Sequence, residues 1–86
     1  ILNLLAVGRL YYDAGEYDKA LQTLQGLLLL QHDISDDNVR VEMFWHLARV
    51  CREMGDDKKS RRHLQRLLDI QPDHDEAKAL LGADNS

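Results

Sequence analysis

Apolar residues recur three or four positions apart along this chain, and short polar stretches interrupt them. That spacing is the period of α-helices that each bury one face. Leu4, Val7, Gly8 and Tyr11 share a face of a first helix over residues 1–13. Ala14-Gly15 ends it, because glycine takes the left-handed capping conformation without a Cβ clash. Glu16 to Asp18 place negative charge in the first turn of a second helix, where the helix dipole favours it. Ala20, Leu21, Leu24, Leu27 and Leu28 form its inner stripe, which runs to about Gln31.

His32 to Asp37 is polar and turn-like, and Ser35 or Asp36 can cap a third helix. That helix continues through Met43, Phe44, Leu47, Ala48 and Cys51 to Met54. Gly55 repeats the position of Gly15, and Asp56-Asp57 repeats the acidic start. A fourth helix buries Leu64, Leu67, Leu68 and Ile70, and Pro72 stops it by disfavouring helical geometry at the residue before it. Asp73 or Asp75 can start a short fifth helix, Glu76 to Leu81, and Gly82 to Ser86 should fray.

The ordered set Gly8, Tyr11, Gly15, Tyr17, Ala20 and Leu24 has a less regular copy 40 residues on, around Leu47, Ala48, Gly55 and Leu64. Repetition at that period predicts stacked helix pairs, which usually present a surface to a partner. Eighty-six residues suit one domain, 1–86, and 44% apolar content with a single proline fits an ordered helical one.

Charge and chemistry narrow the function. A net charge of −4 opposes nucleic-acid binding driven by the whole molecule's field. No apolar run is long enough for a membrane span. Cys51 is the single cysteine, so no internal disulfide is required and a cytoplasmic location is favoured, although a cysteine-poor periplasmic domain would look the same. The start Ile-Leu-Asn-Leu-Leu carries neither an initiator Met nor a basic leader flank, and the chain is expected to be a piece of a longer protein. His32, His46, His63 and His74 lack metal-ligand spacing with Cys51, and no phosphate loop or nucleophile motif is present. The chain therefore reads as non-catalytic, with no cofactor and no metal.

These residues resemble the tetratricopeptide repeat, a 34-residue helix–turn–helix unit with a W-x2-L-G-x2-Y…A-x3-F…P signature. Leu4, Val7, Gly8, Tyr11, Ala20 and Leu24 fill those sites in the first copy, with His32 in place of the proline. The second copy offers Phe44, Leu47, Ala48, Cys51, Ser60, Leu64 and Pro72, and a third start is visible at Ala77, Leu81 and Gly82. The resemblance implies an all-α fold of antiparallel helix-turn-helix repeats in a right-handed superhelical stack of about five helices. Its units would be a repeat at about 1–34, a second at about 41–74 and a capping helix at about 75–82. The 40-residue spacing puts an inserted segment at about 35–40, which should lengthen the third helix.

In this family the first helix of each repeat lines a concave groove that takes peptides or helices of partner proteins. By that resemblance the groove side shows Leu2, Leu5, Arg9, Tyr12 and Asp13, then Glu42, Trp45, Arg49, Arg52 and Glu53. Arg9 and Arg49 stand at equivalent sites and suit a partner carboxylate, while Tyr12 and Trp45 suit an apolar neighbour or an Arg. Pairing of Arg9 with Asp13 and of Arg49 with Glu53, each four residues on, needs no ligand and is the competing arrangement. The sites with which one subgroup of the family grips a C-terminal carboxylate hold Leu5, Arg9, His46, Glu76 and Leu80 here, a poor match because Glu76 would repel.

Two other surfaces are candidates. Lys58, Lys59, Arg61, Arg62, His63 and Arg66 make the fourth helix basic, which suits either phosphate contact or simple solvation. Leu29 stands at a site that is usually polar, and Ile1, Leu2 and Leu5 lie on a terminal helix expected to lack an upstream neighbour. These suit packing against another copy, a preceding helix of a larger protein or a partner, or, for Leu29, burial under Ile34.

Overall fold

The computed structural model describes residues 2–84. Five α-helices follow one another among them: α1 (Leu2–Asp13), α2 (Tyr17–Leu29), α3 (Asp37–Glu53), α4 (Asp57–Ile70) and α5 (Asp75–Asp84). Expectations about Ile1, the side chain of Leu2, and Asn85 and Ser86 lie outside the described residues.

The two tight turns are copies of one another. Gly15 and Gly55 have φ of +79° and +83°, which only glycine adopts without strain. Gly15 N–H donates to the Tyr12 carbonyl and Glu16 N–H to that of Tyr11; forty residues on, Gly55 donates to Arg52 and Asp56 to Cys51. This paired closure satisfies the helix-end carbonyls and reverses the chain within three residues. The helix starts are less uniform. Asp36 caps α3 by accepting from Asn38 N–H, and Asp56 caps α4 by accepting from Lys59 N–H. At α5 neither Asp73 nor Asp75 makes the capping bond; His74 does, its Nδ1 accepting from Ala77 N–H at 3.0 Å.

Helices pack on their neighbours in order: α1 on α2, α2 on α3, α3 on α4 and α4 on α5, with α1 also reaching α3. Ala20, Leu24 and Leu27 of α2, and Ser60, Leu64 and Leu67 of α4, are fully buried at matching positions. A Cβ built on Gly8 would stand 2.8 Å from Cγ and Cδ2 of Leu24, so glycine sets the approach of α1 to α2. Ala48 holds the same site in α3 and is fully buried.

Three expectations are corrected. The second helix ends at Leu29, two residues early, and a single 3₁₀ turn (Gln31–Asp33) follows. Leu29 is 85% exposed although Ile34 is buried, so Ile34 does not cover it. Leu4 and Val7, expected on a buried face, are each over a third exposed. The third helix has 17 residues. Its first turn carries an ion pair between Arg40 and Asp37, and Val41 beyond it is buried.

Candidate functional site

The first helices of the successive pairs, α1, α3 and α5, contribute to one open cleft of about 290 Å³, lined by Tyr12, Trp45, Arg49, Arg52, Glu53 and Leu80. Of the ten groove residues expected from the sequence, five meet there: Tyr12, Trp45, Arg49, Arg52 and Glu53. Leu5, Arg9 and Glu42 line a second, smaller cleft between α1 and α3 together with Ala6 and His46, and Asp13 lines neither. The expected face therefore divides into two sites.

In the larger cleft Arg49 is held by aromatic rings. Its guanidinium carbon lies 4.4 Å from the centroid of Tyr12 and 5.7 Å from that of Trp45. Cations sit favourably over such π faces. Among the described residues no ion pair within 4.0 Å joins Arg49 to Glu53 or Arg9 to Asp13, so the competing arrangement is not formed. Glu53 instead faces Tyr17. Burial first, then the Glu53 charge, raises the Tyr17 phenol above its ordinary pKa. Tyr17 packs at a tilt on Tyr12, with ring centroids 5.5 Å apart, and Trp45 packs on His74 at the same separation. The cleft thus joins two aromatic faces to the Arg49 and Arg52 guanidinium groups, with the Glu53 carboxylate also in its lining, a surface that favours flat or apolar groups with an anion placed at the arginines.

The smaller cleft is polar at its base. His46 is 5% exposed, and neither of its ring nitrogens finds a hydrogen-bond partner among the described residues. Glu42 Oε2 lies 3.6 Å from His46 Nε2, an ion-pair separation beyond hydrogen-bond length. Desolvation lowers the His46 pKa, and the Arg49 and Arg9 charges act in the same direction against the opposing pull of Glu42. The imidazole is therefore neutral near pH 7. From the sequence, His46 stood out as a mismatched clamp residue and as one of four histidines without metal-ligand spacing. Glu42 four residues before it and Arg49 three after supplied the helical spacing that could have placed it beside Arg9.

Elsewhere chemistry is muted. Cys51 is buried, and desolvation followed by Asp56 raises its pKa, which keeps the thiol protonated. The basic helix α4 spends Lys59 partly on Asp56, 3.9 Å away, and packs His63 against Phe44 with ring centroids 6.2 Å apart. Among the described residues no group of three or more His, Cys, Asp or Glu side chains is placed to hold a metal ion. No helix there is long and apolar enough to cross a membrane.

No curated protein matches the chain in sequence. A family model described as the tetratricopeptide repeat matches residues 1–73. Paired glycine turns and equivalent buried stripes carry that match in physical terms, and the chain belongs to the tetratricopeptide repeat family.

Proposed function

We propose that this chain is a non-catalytic protein-interaction module that binds a peptide or helix of a partner protein across the face formed by α1, α3 and α5. The observation that carries this reading is the cleft in which Tyr12, Trp45, Arg49 and Leu80 converge from three helices. Repeats of this family generally mediate protein–protein interaction. The mechanism is preorganisation: Arg49 is already stacked on Tyr12, so little side-chain freedom remains to be lost on binding. The preferred partner segment sets an aromatic or aliphatic side chain against Trp45 and an acidic group near Arg49.

Selection of random peptides by display on the wild-type chain and on Trp45→Ala and Arg49→Glu variants tests this. Enriched peptides should carry an apolar residue beside an acidic one and be lost on both variants. Equal enrichment on all three proteins would remove the cleft from the function.

A second reading has its own observation. Leu10 is 61% exposed and Leu4 and Val7 are over a third exposed, whereas Phe44, Leu47 and Val50, at matching sites in α3, are almost wholly buried. The free face of α1 thus has the composition of a packing face. That favours a structural role in which this face assembles with another copy or with more of a larger repeat protein.

A further inference from the structure

The smaller cleft carries a more specific inference, which rests on the groove reading above. Its volume, about 110 Å³, is several times the room one water molecule needs. Three groups of different hydrogen-bonding character border it. Arg9 only donates, and it is exposed with no ion pair to Asp13. Glu42 only accepts, and over half of its side chain is exposed. The neutral His46 ring supplies one donor and one acceptor, neither within hydrogen-bond distance of a partner among the described residues, with Glu42 Oε2 3.6 Å from Nε2. Burying an imidazole in that condition is unfavourable until something bonds to it.

We propose that the cleft bounded by Arg9, Glu42 and His46 receives the primary amide of an Asn or Gln side chain in the docked partner segment.

Only a group that both accepts and donates matches this border. A carboxamide oxygen accepts from Arg9, and its two N–H groups donate to Glu42 and to the free ring nitrogen of His46. A carboxylate has no donor and would face the Glu42 charge. An ammonium has no acceptor and would face Arg9. A hydroxyl has a single donor and leaves either Glu42 or His46 unserved. Leu5 and Ala6 form the rest of the wall and suit the methylene stem of a Gln side chain.

The subsite lies on α1 and α3, two of the three helices that line the Arg49 cleft, so one extended segment can occupy both. The larger cleft supplies the apolar anchor. The smaller one reads a neutral polar residue at a fixed distance from it. Matching both demands excludes most segments that satisfy only one.

The test starts from peptides selected by display on the wild-type chain. One such peptide is synthesised with Gln, Glu, Leu or Lys at each position in turn, and affinities are measured by fluorescence anisotropy at pH 7.5. One position should prefer Gln over Glu and Leu by roughly tenfold or more. Glu42→Gln should narrow the Gln-over-Glu preference at that position alone, and Arg9→Met should reduce binding of the Gln peptide while leaving the Leu peptide unchanged. Both substitutions are at exposed residues, and far-ultraviolet circular dichroism confirms that the variants fold. A peptide that needs Trp45 and Arg49 but shows no amide preference anywhere overturns the subsite and leaves the groove reading standing. A preference for Glu at the position sensitive to Arg9 overturns it in favour of a carboxylate receptor. An amide preference indifferent to Arg9→Met and Glu42→Gln places the amide elsewhere and also overturns it. Failure to select any peptide removes both the groove and its subsite.

Discussion

The guanidinium carbon of Arg49 lies 4.4 Å from the ring centroid of Tyr12, so a cation on α3 is held by an aromatic face on α1. The contact crosses between the two helix pairs, where few other α1–α3 contacts exist to share the load. In a double-mutant cycle of Tyr12→Leu and Arg49→Met, urea denaturation should give a coupling of about 0.5–1 kcal/mol. A coupling near zero would show that the stacking only accompanies packing made elsewhere.

Two glycines in helices should respond to alanine in opposite directions. Gly26 has nothing within 4 Å of a built Cβ, so Gly26→Ala should stabilise by about 0.5–1 kcal/mol through helix propensity. Gly8→Ala gains the same propensity but drives the new methyl to 2.8 Å from Cγ of the fully buried Leu24. Overpacking of that kind costs about 1–3 kcal/mol, so the net change should be destabilising. Urea midpoints of the two variants against the parent decide it, and a stabilised Gly8→Ala would mean that α1 can move away from α2 freely.

Ser60 is fully buried, and its hydroxyl has no hydrogen-bond partner among the described residues. Ala20 fills the matching site in α2, equally buried. Ser60→Ala should therefore stabilise by about 1 kcal/mol, by removing an unserved polar group and by better helix propensity. A loss of stability on thermal denaturation would reveal that the hydroxyl is bonded in solution.

The fold was legible because its determinants are local and repeat. Gly15 and Gly55 each announce a turn, and Leu24, Leu27, Leu64 and Leu67 each fall on a helical stripe that is fully buried. Where the reading failed, a non-local fact decided. Leu4 and Val7 belong to a well-formed apolar face, but burial depends on a neighbour, and among the described residues nothing covers that side of α1. His74 outcompeted two aspartates as the cap of α5, a choice made by ring geometry and not by residue preference. The site divided for a similar reason. Arg9 and Arg49 are equivalent by register, yet Tyr12 and Trp45 hold Arg49, while His46 and Glu42 stand at Arg9. Register assigns a face; only the neighbours assign a partner.

Two histidines should make stability depend on pH. Desolvation, reinforced by Arg66, Arg62 and Lys59 against the opposing Asp56, lowers the His63 pKa to about 4, and His46 is lowered in the same direction. A folded-state pKa below the unfolded value near 6.5 means that the unfolded chain binds the proton first. Stability is then complete above pH 6.5 and falls as the pH drops toward 4. For His63 the loss should reach on the order of 2–3 kcal/mol at the lower limit, since the ring is partly shielded from solvent. Carboxylates that cap α3 and α4 titrate in part of the same range, so the comparison is with His63→Leu. Between pH 6.5 and 4.5 its urea midpoint should fall less than that of the parent, and parallel slopes would remove His63 as a cause.

The free face of α1 gives the last prediction. Leu10 and Val50 stand 40 residues apart at the same place in their helices, yet one is 61% exposed and the other fully buried. The difference has a simple origin: α2 lies against α3, and among the described residues no helix lies against α1 on the corresponding side. Charge does not protect that face either, because Arg9 and Asp13 are the charged residues of α1 and the stripe Leu4, Val7 and Leu10 avoids both. Apolar surface of this kind associates when concentration allows. Sedimentation velocity from low to high micromolar should therefore show a rise in mass, and Leu10→Lys should abolish it with little change in folding, since Leu10 is largely exposed already. If the parent stays monomeric throughout, self-assembly through α1 is excluded and the stripe serves contact with a different polypeptide segment. If Leu10→Lys still associates, the contact runs through another surface, with the exposed Leu29 at the end of α2 the next residue to change.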